Sequence, residues 1–238
     1  MHVLDLGVYQ IIVACCLMEL AAENTWGGAE TRDQLNHAHM EYKSWCRGQK
    51  LQPCPRFKKD SLQHGSDCPT LTQHQAKAAQ TRHLVEWLSS VLDTVGGVSE
   101  HSRWRREMFA CWVRFEVICK GAGRYLQPAE RDEIGDIAEK ALVFQNALCW
   151  DALRGERLLW HLIPKNHMAA HICYDFVQMV NPRRVHNYPD EDLVGRCKRI
   201  ISTCHGATAA RSGMQRYLIL AGTRWWIQLR DLRHGPPG

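Results

Sequence analysis

The sequence predicts a mostly α-helical protein packed as an irregular bundle. Long stretches carry apolar residues at three- and four-residue spacing, clusters of Gly, Pro and Asn punctuate them, and no stretch shows strand alternation or an internal repeat. Val3 to Leu20 reads as a helix so dense in apolar residues that most of its sides must be covered. Asn24 to Thr31 breaks it, and TRDQLNHAHMEYKSWC follows as a polar helix with a thin apolar stripe. Residues 46–69, with three prolines and two glycines, form a loop or small insert.

QHQAKAAQTRHLVEWLSSVLDTV is a helix ended by Gly96–Gly97, and WRREMFACWVRFEVICK is another, ended by Gly121 and Gly123. PAERDEIGDIAEKALVFQNALCWDAL places Pro128 in its first turn, with acids after it at the positive end of the helix. RLLWHLIPKNHMAAHICYDFVQMV continues as helix, broken or kinked at Pro164. NPRRVHNYP is a turn, DEDLVGRCKRIISTC a helix, and ATAARSGMQRYLILAGTRWWIQLRDL a last long helix. The expectation is one domain over 1–238 with a frayed tail at 234–238.

Apolar residues make up 45% of the 238, enough for a core, and the formal charge is +5. From Asn181 onward the charge is +6, leaving −1 for everything before it, so the basic surplus sits at the C-terminal end. Such a distribution is compatible with nucleic acid without requiring it. The eleven cysteines are read as free thiols serving as core residues in a reducing, intracellular compartment. The longest apolar run, Ile11 to Met18, is too short to span a membrane, and Asp5 sits where a signal peptide carries positive charge.

Several residue groups invite a chemical reading. His167 and His171 share a helix face at metal-ligand spacing, but Met168 stands where a zincin carries its glutamate, and ordinary hydrogen bonding explains the pair as well. Asp190, Glu191 and Asp192 suit either a helix N-terminus or a hard cation such as Mg²⁺ or Mn²⁺. Cys46, Cys54, His64, Cys68 and His74 are soft ligands, with gaps too long for a zinc knuckle. Lys165, Arg183, Arg184, Arg196, Lys198 and Arg199 could contact phosphates, and a solvated helix face accounts for them equally.

Three stretches together, MHVLDLGV, IPKNHMAAH, and NPRRVHNYPDEDLVGRCKR with HGATAARSGMQRYL, resemble the C-terminal part of transposases of CACTA-type mobile elements. The resemblance implies an RNase H-like fold using three acids and a divalent metal. Glu191 or Asp192 would stand for the last acid, and Lys165, His167 and His171 match the family's basic and histidine positions. Asn181–Pro182 replaces the family's Gly–Pro, and a triplet replaces its single turn acid. The other two acids would lie upstream of Met1.

On this view the chain is the helical insertion and C-terminal part of an incomplete RNase H-like domain. It is a catalytically incomplete remnant with no activity of its own, and it needs no cofactor. Mg²⁺ or Mn²⁺ would bind only if the missing acids were supplied. DNA would be its partner, the nucleus its compartment, and a first helix stripped of its upstream strand would expose an apolar surface for self-association. Two alternatives stand beside it: a helical protein-interaction or scaffold domain, and a metal-binding enzyme using His167, His171 and the Asp190–Asp192 cluster.

Overall fold

The structure, a computed structural model, describes residues 3–63, 65, 67–184 and 197–234. The chain forms two compact units, Met1–Val185 and His186–Gly238.

The first unit is organised around a buried helix. A π-helical segment, Leu4–Val8, runs into α1 (Tyr9–Ala22). Every residue from Ile11 to Leu17 is buried, so successive positions pointing in all directions around the axis find cover. Around it lie α2 (Thr31–Gly48), a short α3 (Lys59–Leu62) and α4 (Ala78–Val95). Then α5 (Glu100–Gly121) and α6 (Pro128–Arg154) form the most extensive helix pair. Helix α7 (Pro164–Tyr174) packs on α6 and on the π segment, and 3₁₀ turns follow at Phe176–Gln178 and Pro182–Arg184.

Local chemistry sets the helix ends. Gly96 (φ 67°) and Gly97 (φ 129°) adopt left-handed backbone where α4 stops, and Ser99 accepts the Ser102 N–H to start α5. Pro128 opens α6, where its missing N–H is not needed. Pro164 does the same for α7. The residues before it are not helical, so the expected helix from Arg157 through Pro164 is instead a loop followed by a fresh helix start. The Asn166 carboxamide fixes that start: its Oδ1 accepts from the Ile163 N–H and its Nδ2 donates to buried Gln145 Oε1 at 2.7 Å.

Two side-chain assemblies tie the helices together. Tyr42, Phe57 and Trp87 cluster at centroid distances of 5.3–6.2 Å, with Trp26 stacked on Trp87, joining α2 and the loop after it to α4. The second assembly is ionic. Glu19 of α1 is only 3% exposed, and its carboxylate meets Arg105 (1% exposed, 3.1 Å), His101 (2.9 Å) and Arg157 (2.9 Å). Arg105 also holds Glu23 with both Nη atoms, and His101 Nδ1 bonds Asp151 at 2.7 Å. Burial alone pushes Glu19 up, but the hydrogen bond and charge of His101, with Trp160 and Arg105, hold it below the usual carboxylate range. Burial pulls His101 down, and the hydrogen bonds and charges of Glu19 and Asp151 outweigh that and raise it above its ordinary range.

The RNase H-like expectation does not hold. No β-strand occurs among the described residues, and that fold requires a sheet. The stretch expected to follow a lost strand begins as helix and is built into the core, which removes the transposase-remnant reading and its DNA-binding, mobile-element implications. What stands is the irregular all-α bundle. The expected self-association surface on the first helix is also absent: Leu4–Ala22 is long and apolar enough to cross a membrane by composition, and nearly all of it is buried inside the fold. Glu19 explains how, because its three cationic partners close α5 and the α6–α7 connection over α1.

The cysteines behave as apolar core groups. All eleven are free, six of them buried, and burial pushes the Cys15 and Cys16 thiols well up. Cys46 and Cys54 lie buried beside Tyr42 rather than opening toward a ligand set.

The second unit has a helical turn at 197–201, a 3₁₀ turn at Gly206–Thr208 and α8 (Ala209–His234). Gly213 is a close approach: a Cβ there would sit 2.7 Å from Ile201 Cγ1. Met214, Leu218, Leu220 and Trp225 of α8 are exposed.

The ionic assembly yields a stability test. Arg105→Met removes the buried guanidinium that joins Glu19 to Glu23 and lowers the unfolding free energy by about 3–5 kcal/mol. This is read as a lower urea midpoint at unchanged m-value. The double variant Glu19→Met with Arg105→Met recovers part of that loss, since no carboxylate is then stranded. A loss under about 1 kcal/mol for Arg105→Met alone would show that the network carries no structural weight.

Candidate functional site

Helix α6 presents a continuous outward face. Ile134, Ala138, Ala141, Gln145, Leu148 and Ala152 form its buried stripe. On the exposed side Asp132, Asp136, Glu139, Val143, Asn146, Trp150 and Leu153 follow one another at alternating spacings of four and three residues. The N-terminal half of this face is acidic. The C-terminal half is apolar, with Val143 57%, Trp150 60% and Leu153 50% exposed. Alternating four- and three-residue spacing is the register by which a second helix lies along a first, so the face has the form of a helix-docking seam with no helix of the first unit on it. Leu158 and Leu162, also exposed, follow in the connection to α7.

A cavity of about 350 Å³ lies between the N-terminal half of α4 and the C-terminal half of α5. Ala79, Arg82, His83 and Glu86 line it from α4, Val113, Glu116, Val117 and Lys120 from α5, and Arg183 from the 3₁₀ turn. Beneath it Tyr9 donates its hydroxyl to Glu116 Oε1 at 3.2 Å, while Arg183 Nη1 donates to Glu116 Oε2 at 2.7 Å. Buried Asp5 pairs with Arg82 at 3.4 Å. Burial, with the charge of Asp5, pushes Glu116 up to about 7, although Arg82, Arg183 and Tyr9 act against it. Burial and the neighbouring Arg82, Arg183 and Lys120 charges pull His83 below its ordinary range.

The residues singled out from sequence are distributed as follows. Lys165 is half-buried: its stem crosses Gly7, where a Cβ would collide with it, and its ammonium donates to the Leu6 carbonyl. That carbonyl sits in the π segment, where Leu6 departs from helical dihedrals (φ −114°, ψ 33°). Arg183 is engaged with Glu116, and Arg184 donates to the Ala122 carbonyl at 3.1 Å. Lys198 and Arg199 are exposed in the second unit. Asp190, Glu191, Asp192 and Arg196 lie outside the described residues.

His167 and His171 do come together on an exposed face of α7. Their Nε2 atoms are 3.0 Å apart, one donating to the other, and His171 Nδ1 bonds Asp175 at 2.6 Å. No group of three or more His, Cys, Asp or Glu able to hold a metal occurs among the described residues. Among the described residues the two imidazoles bond each other and Asp175, and the acids of the metalloenzyme reading lie outside the described residues.

Sequence reasoning missed both the α6 face and the Glu116 cluster. The acids after Pro128 were assigned to the helix dipole, and the spacing that continues through Val143, Trp150 and Leu153 was the available signal. Glu116 and Glu19 each stand as a lone carboxylate inside an apolar stripe, which is the local sign of a buried, partnered acid.

Glu116 makes the pH dependence testable. Its folded value lies above the unfolded one, so its contribution to stability is present in full below about pH 4.5 and is lost as pH rises through about 7. Between those limits the wild-type protein loses about 3 kcal/mol more than Glu116→Gln does, measured by urea unfolding across pH. Parallel curves for the two proteins over that window would mean Glu116 ionises as it does in water.

No family model matches the sequence, and neither a curated protein nor a solved structure gives a significant match.

Proposed function

We propose that this chain is a helical interaction domain that uses the outward face of α6 to hold a partner helix. The observation that carries the reading is the unbroken register from Asp132 to Leu153, acidic at one end and apolar at the other. Its complement is an amphipathic helix whose basic residues precede or follow its apolar ones along the same stripe. The rest of the first unit supports a presenting role. Arg105, Arg114, Arg157 and Arg183 are committed to carboxylates within the fold and serve its packing. Helix α6 is itself held rigid by α5 and α7. Free cysteines packed as core groups support a reducing compartment.

The test is a labelled helical peptide about three heptads long, with lysines at one end of its stripe and leucines at the other, followed by fluorescence anisotropy. It binds the wild-type protein saturably. Trp150→Ala weakens it about tenfold or more, as does the pair Asp136→Lys with Glu139→Lys, while circular dichroism and the urea midpoint stay unchanged because all three side chains are exposed. A peptide with glutamates in place of the lysines binds much more weakly. Failure of the lysine peptide to bind, or equal binding of both peptides, overturns the proposal.

A further inference from the structure

We infer that helix α8 lies flat in the surface of a membrane rich in anionic phospholipid, with its apolar side at the acyl-chain boundary and its cations among the headgroups. The inference goes beyond the α6 face and concerns the second unit alone.

Successive residues of a helix step by about 100°, so Met214, Leu218, Ile219, Trp225 and Trp226 gather on one side of α8 within an arc of about 140°. All five are exposed, from 59% at Met214 and Leu218 to 72% at Trp225. Ser212, Arg216 and Thr223 fall on the other side, where Leu220 is the apolar exception. The preceding residues of the second unit sit away from the apolar arc. Ile201 packs at Gly213, and Arg216 Nη1 donates to Thr203 Oγ1 at 2.8 Å. The unit thus covers one side of its helix and leaves the apolar one bare.

Charge selects what covers it. Residues 197–234 carry seven Lys or Arg against one acid, Asp231, so the complement is a dense negative surface. Nucleic acid would meet the charge and leave five large apolar side chains in water. A leaflet of anionic lipid meets both needs, because apolar chains begin just beneath its headgroups. An acidic partner helix covers a single seam, and the adjacent pairs Leu218–Ile219 and Trp225–Trp226 make the arc wider than that. The helix lies along the membrane rather than across it: arginines at 211, 216, 224, 230 and 233 leave no charge-free stretch of the roughly 20 residues a span requires. Tryptophan is at home at headgroup level, where its ring is half in hydrocarbon and its N–H is wet.

The experiment is co-sedimentation of the full chain with vesicles of phosphatidylcholine containing about 30% phosphatidylserine, beside vesicles of phosphatidylcholine alone. The anionic vesicles bind it about tenfold or more tighter, and the difference shrinks as salt rises from about 0.1 M to 0.5 M. Bromine on the acyl chains of the anionic vesicles quenches tryptophan fluorescence on binding, as entry of Trp225 into the boundary requires. Leu218→Ser with Trp225→Ser, both at exposed positions, weakens binding about tenfold or more at an unchanged urea midpoint. Trp150→Ala on α6 binds the vesicles as the wild type does. The proposal is overturned if neutral vesicles bind the chain as well, if binding occurs without quenching, or if the double variant binds as the wild type does. Displacement from the vesicles by a DNA duplex at equal phosphate concentration overturns it in favour of nucleic acid, and loss of binding in Trp150→Ala overturns it in favour of α6.

Discussion

The placement of Glu19 constrains the rest of the first unit. A helix apolar on all sides would bury itself in any orientation. A single carboxylate within it does not allow that, because an unpaired buried charge is far more costly than any one packing contact. Arg105, His101 and Arg157 must therefore arrive at one point on α1, two of them from α5 and one from the α6–α7 connection. The hydrophobic effect drives burial of α1, and the charge network sets its rotation and the elements that cover it.

The same logic explains what became of three cations that the sequence offered for phosphate. In the first unit Arg184 donates to the Ala122 carbonyl. Arg183, at the turn expected to touch nucleic acid, closes on Glu116 instead. Lys165, expected to hold a phosphate, holds the backbone of the π segment at Leu6 and passes over Gly7. Of the stretches that suggested a transposase, Leu4–Val8 and the start of α7 meet where α7 packs against the beginning of the first helix. Motif likeness of a few residues is compatible with many folds, and absence of a sheet among the described residues decides against this one.

With the charges of the core satisfied internally, two features remain turned outward or open. The α6 face combines an acidic half with exposed Val143, Trp150 and Leu153, a combination that internal packing does not require. The α4–α5 cavity gathers Arg82, Lys120 and Arg183, the carboxyls of Glu86 and Glu116, and apolar walls. Both rest on elements held by the core.

The sequence by itself determined the helical class and most helix positions, because spacing, capping residues and glycine stops are local signals, and it left open whether the first helix is covered by its own fold. It showed that α4 ends at Gly96 and that α6 opens at Pro128. It could not show that Pro164 starts a helix rather than kinking one, since proline serves both ends of that choice until the Asn166 contact with Gln145 is formed. Nor could it tell which stripe of α6 faces out, because Ala138–Ala141 and Glu139–Val143 both have helical spacing and only packing against α5 and α7 selects between them. The partners of Glu19 and Glu116 lie about 60–140 residues away along the chain, so their charge state and their role were decided by tertiary structure alone.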